Sequence, residues 1–129
     1  MIKTSAKLVG FVAASVAILL TLAGTGVADS KDGARRWTKV LKKNTEVVYK
    51  IVFIADKNPQ RGIAEFAVIG DGSTDVDIEV YDSKGAVVAK DDRFTDLALV
   101  RWVPMQTQEY TIKVINLGSE DNACLMGHN

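Results

Sequence analysis

Apolar residues recur at every second position through most of the chain beyond residue 45. Val76, Ile78 and Val80 alternate with Asp75, Asp77, Glu79 and Tyr81, and Tyr110, Ile112 and Val114 alternate with Glu109, Thr111 and Lys113. A period of two places one set on each side of an extended ribbon, whereas a helix would scatter the carboxylates around its axis. Over residues 46–54 the odd positions Val47, Tyr49, Ile51 and Phe53 are apolar, while the even positions mix Glu46 and Lys50 with Val48, Val52 and Ile54. One face there belongs to a core and the other is partly covered. Residues 63–69 put Ala64, Phe66 and Val68 on one side and Glu65 on the other.

Turn formers separate these ribbons. Lys42, Lys43 and Asn44 break the first short strand, and residues 56–62 form a loop dense in Asp, Asn, Pro and Gly. Asp71, Gly72 and Ser73 turn the chain again. Asp82-Ser83-Lys84-Gly85 fits a type I turn with glycine in the last position, joining two strands as a hairpin. Pro104 stops a strand because it cannot donate to a ladder. The predicted strands are 37–41, 46–54, 63–69, 75–81, 86–90, 97–103, 109–116 and 123–127. Eight short strands at this spacing predict an all-β, antiparallel sandwich.

The first 28 residues do not fit that pattern. Lys3 and Lys7 precede an almost unbroken apolar run over residues 8–24, and Gly26, Val27 and Ala28 supply small residues of the kind a signal peptidase reads. A signal-peptide helix cleaved after Ala28 is expected, which makes the protein exported, to the periplasm or beyond the cell. The alternative is an uncleaved anchor, because the run approaches the roughly twenty residues that span a bilayer; Gly10, Ser15 and Gly24 weaken such a span. Residues 29–36 read as a flexible leader and residues 37–129 as one domain.

The whole chain has 16 Lys plus Arg against 16 Asp plus Glu. That balance argues against a general nucleic-acid binder, which needs a basic surface to displace counterions from phosphates. The charge is unevenly spread, net plus five over residues 29–62 and net minus seven over residues 63–129. Two readings fit: the halves pair within one sandwich, or Arg35, Arg36, Lys39, Lys42 and Lys43 present a basic patch to an anionic surface. Cys124 is the one cysteine, so no internal disulfide exists, and its apolar neighbours predict burial.

Taken together, GDGSTDVDIEVYDSKGAVVAKDD, RWVPMQTQEYTIKVINLG and the short strand before Asn129 resemble the bacterial pre-peptidase C-terminal domain. The resemblance runs over nearly all of the chain after the leader. It implies a jelly-roll-like sandwich, usually without catalytic activity, tied to secretion, solubility or substrate binding, with calcium bound in some relatives. No peptidase segment accompanies it here, and residues 125–129 depart from a regular closing strand.

Candidate chemistry follows from the acidic stretch. Seven aspartates fall between Asp71 and Asp96, and hard cations take six to eight oxygens. The spacing is not an EF-hand loop, since Val76 stands where glycine is required. If calcium binds, Asp75, Asp77, Asp91 and Asp92 are the expected ligands; otherwise these carboxylates stabilise turns and a wet sheet face. His128, the one histidine, stands next to a terminus expected to be mobile, and no nucleophile elbow, zinc-binding pair or phosphate-binding loop occurs. Tyr81 is the aromatic residue whose phase exposes it, while Trp102 and Tyr110 are expected in the core. The expected function is non-enzymatic contact with a protein or cell-surface partner through Tyr81, Arg35 and Arg36, with a calcium-stiffened domain and a small hydrolase as alternatives.

Overall fold

The computed structural model describes residues 30–58 and 62–129. The expected signal-peptide helix and its cleavage site lie outside the described residues. Eight strands occur: β1 Arg35–Leu41, β2 Thr45–Phe53, β3 Ala64–Ile69, β4 Val76–Tyr81, β5 Val87–Asp91, β6 Leu97–Trp102, β7 Gln108–Asn116 and β8 Asn122–His128. They form two antiparallel four-stranded sheets, ordered β1-β8-β3-β6 and β2-β7-β4-β5. Among the described residues no helix is long and apolar enough to cross a membrane.

This order is that of a jelly roll, in which strands distant in sequence become neighbours and successive strands go to opposite sheets except for the β4–β5 hairpin. Alternation then does the packing. Phe53, Phe66, Val68, Ile78, Val80, Ile112, Val114, Cys124 and Met126 meet between the sheets in one buried cluster. Trp102 and Tyr110 join them, as their phase required, and their rings lie 5.4 Å apart. The hairpin turn is closed by the amide of Gly85 donating to the Asp82 carbonyl at 3.1 Å, with Gly85 at φ +86 where a side chain would strain.

Three placements differ from the sequence reading. β1 begins two residues early, at Arg35, and Ser30 is already buried, bridging to Phe53. β3 is buried at every position, including Glu65, whose Oε2 accepts from Arg101 Nε at 2.6 Å on the neighbouring strand. His128 does not lie at a mobile end. β8 runs between β1 and β3, so His128 stacks on Phe66 and meets the edges of Trp37 and Phe53. The expectation of a loose end followed from position in the chain; mobility depends instead on whether the backbone is paired and covered.

Candidate functional site

Four loops gather at one end of the sandwich: residues 42–44, 70–75, 92–96 and 117–121. Two fully buried asparagines tie three of them, 42–44, 70–75 and 117–121, together. Asn116 Nδ2 donates to the carbonyls of Leu41 and Glu120, while its Oδ1 accepts from Thr74 Oγ1 and from the amide of Gly118. Asn122 Oδ1 accepts from the Asp71 amide, and its Nδ2 donates to Thr74. An amide side chain offers two donors and an acceptor with two lone pairs, so one Asn serves several strand ends that cannot pair with each other. Asp71 then receives the amides of Ser73 and Ala123, and Asp121 receives the Lys43 amide and faces Lys42 Nζ at 3.3 Å.

The β5–β6 loop is held just as closely. Asp91, at the end of β5, points between the sheets, where Oδ2 accepts the Leu99 amide at 2.9 Å and Arg93 Nη2 at 2.7 Å. The hydrogen bonds from the Arg93 side chain, followed by those from the Leu99 and Arg93 amides, outweigh the cost of burial and hold its carboxyl down at about 2. The Thr95 amide donates to Asp75 Oδ1 at 2.8 Å, the Val76 amide to the Thr95 carbonyl, and the Gly70 amide to the Asp96 carbonyl. Between these pinned residues Phe94 is 95 % exposed. A cleft of about 280 Å³ opens beside it, lined by Gly72, Ser73, Thr74, Asp75, Phe94, Thr95 and Asp96.

The residues expected to bind calcium are not gathered around one point. Asp77 lies on the outward side of the second sheet and Asp75 and Asp92 in the loops just beyond its strands, whereas Asp91, the last residue of β5, faces between the sheets. Asp75 accepts from Thr95 and Asp92 faces Lys90 Nζ at 3.4 Å. Asp77 Oδ1 is buried and has no hydrogen-bond partner. Burial first, then the charges of Asp75, Asp92, Asp91 and Glu79, push the Asp77 carboxyl up to about 6. Among the described residues no group of three or more acidic, histidine or cysteine side chains is arranged to hold a metal ion.

Tyr81 lies on the open face of the β2-β7-β4-β5 sheet, far from Arg35 and Arg36 in the topology. Lys113 Nζ sits over its ring, 5.1 Å from the centroid, in a groove of about 320 Å³ shared with Lys50, Glu109 and Thr111. Arg35 and Arg36 are exposed on edge strand β1 and point to opposite sides of it, while Lys42 turns to Asp121. The strand thus divides the basic stretch. His128 is enclosed by aromatic rings, its Nδ1 within 2.7 Å of the Asn129 carbonyl oxygen, and burial lowers its pKa from the ordinary value. Sequence reasoning passed over Phe94, which sits among Asp and Arg in a turn-like stretch; its exposure is visible only once the loop's anchors are located.

No family model matches the chain. No curated protein matches it either. Among solved structures, the fold is similar to the periplasmic inhibitor of g-type lysozyme from Aeromonas hydrophila, PliG, with a TM-score of 0.53 and 11% identity, covering 74% of this chain and 84% of that one. PirA superposes with a TM-score of 0.45 and 17% identity, covering 74% of this chain and 93% of that one.

Proposed function

We propose that this protein is an exported, non-catalytic module that binds a protein partner through the loop end of the sandwich, centred on Phe94. The observation that carries this reading is a phenyl ring almost wholly in water on a loop whose neighbours on both sides are fixed by hydrogen bonds. Covering such a ring releases about 1.5–3 kcal/mol, and a loop already held in place loses little further entropy when a partner covers it. Aromatic anchors of this kind dominate many protein interfaces. Loops at one end of a rigid sandwich are also a common place for binding residues. The resemblance to pre-peptidase domains supports an accessory role of the same kind.

The fold shared with a periplasmic lysozyme inhibitor supports, as the finer reading, a partner that is itself an exported enzyme. A g-type lysozyme is the first candidate to test. The exported protein, immobilised, is exposed to purified g-type lysozyme and to native envelope extract, and both capture and residual lysozyme activity are measured. Capture lost in Phe94→Ala and kept in Tyr81→Ala supports the loop end. Capture lost only in Tyr81→Ala moves the surface to the open face of the second sheet and overturns the proposal.

A second reading, cation binding at Asp77, rests on its partnerless oxygen alone, since no three-residue ligand group is present among the described residues. A ligand that binds only the folded state raises the melting midpoint. Calcium and chelator therefore separate the readings: identical melts remove the metal.

A further inference from the structure

The cleft beside Phe94 has walls of two kinds. One is the ring of Phe94; the other carries the carboxylates of Asp75 and Asp96. Among the described residues the ion pairs engage Asp91, Asp92, Asp121 and Glu65, and none engages Asp75 or Asp96. Asp75 uses Oδ1 for the Thr95 amide, and Asp96 uses its main-chain oxygen for Gly70, so side-chain acceptors remain on both. Gly72, at φ +85, carries no side chain to fill the mouth, and a Cβ there would come within 3.8 Å of Asp96 Oδ2.

An aromatic face beside two carboxylates suits a cation on an apolar stem. The ring's quadrupole attracts the charge, the carboxylates accept its protons, and the stem lies along apolar surface. A guanidinium fits better than an ammonium, because it is planar, stacks on rings and presents several donors in a fixed fork. An acidic side chain would meet two like charges. We propose that this cleft receives an arginine side chain of the protein partner, with Phe94 as the stacking wall and Asp75 and Asp96 as acceptors. The proposal rests on the loop end being the docking surface and specifies the chemistry of what docks there.

The test uses the exported protein, isotopically labelled, titrated with a blocked Gly-Arg-Gly peptide and with its citrulline counterpart, which keeps the shape and loses the charge. Saturable amide shifts confined to residues 72–75 and 94–96, at least about tenfold weaker with citrulline, are expected. Combining Asp75→Asn with Asp96→Asn should weaken the arginine peptide by about tenfold, and Phe94→Leu, which keeps apolar bulk without a ring, by several-fold. No saturable shift, or equal affinity for both peptides, overturns the proposal. So does calcium chloride shifting the same amides while the arginine peptide fails to displace it. The two readings fail differently. If Phe94→Ala abolishes capture of a protein partner and the double Asn variant leaves capture unchanged at low salt, the docking surface stands and the arginine cleft falls. If neither variant alters capture, both fall.

Discussion

Asn116 donates to the carbonyl of Leu41 across 75 positions of sequence and also serves Thr74, Gly118 and Glu120. Replacing it with alanine orphans the Leu41 and Glu120 carbonyls, the Gly118 amide and the Thr74 hydroxyl, all buried or part-buried, and each such group costs about 1–3 kcal/mol where water cannot reach it. Asn116→Ala should therefore lower stability by about 3 kcal/mol or more, measured by urea unfolding; a loss under about 1 kcal/mol would show that water replaces the bonds. Cys124 behaves differently. Burial foremost, then the charges of Asp71 and Asp96, push its thiol up to about 12, and only thiolate reacts. A thiol reagent should leave the native protein unlabelled and label it promptly in denaturant; fast native labelling would refute the buried thiol. Burial of Cys124 was readable from its apolar neighbours. The role of Asn116 was not, because a polar residue after an alternating strand looks the same whether it ends in water or bonds three loops.

Strand β8 and the β4–β5 edge respond to acid in opposite senses. His128 is buried neutral, so its folded pKa lies below the unfolded value of 6.5 and the unfolded state takes up the proton first. Stability linked to it is present at neutral pH and is lost as pH falls below about 6.5. Asp77 is raised from 3.8 to about 6, so the stability linked to it is full below 3.8 and is lost as pH rises through about 6. Asp77→Asn should stabilise the protein at pH 7 by on the order of 1 kcal/mol, after allowing for solvent screening. The variant should retain the acid weakness due to His128, whereas His128→Phe should remove it. Denaturation midpoints over pH 4 to pH 8, about two units either side of Asp77, check both. A pH profile unchanged by Asp77→Asn would remove the assigned cause. At this scale the strands were largely legible: period two, Pro104 and the Asp82–Gly85 turn located them to within about two residues. The closing strand was located to within one residue at each end, but its inward face was not legible, since Ala123-Cys124-Leu125-Met126 is apolar on both faces and shows no alternation.

The jelly roll makes the whole molecule depend on contacts between its ends. β8 sits between β1 and β3, so deleting residues 122–129 removes a central strand and leaves two edges with unpaired backbone. Such a truncated chain should show no cooperative unfolding transition by circular dichroism; a folded truncation would contradict the central place of β8. Pairing of distant strands also predicts refolding in milliseconds to seconds, as for sandwiches rich in long-range contacts, checked by stopped-flow dilution from urea. Strand positions, the inward face of the alternating ribbons and a sandwich held without disulfides all follow from local patterning, because alternation along an extended chain is a one-dimensional property. Which strands become neighbours, the burial of Glu65 and His128, and the meeting of four remote loops at one end of the sandwich are three-dimensional. They depend on how the sheets close over each other, and no window of sequence contains both sides of those contacts.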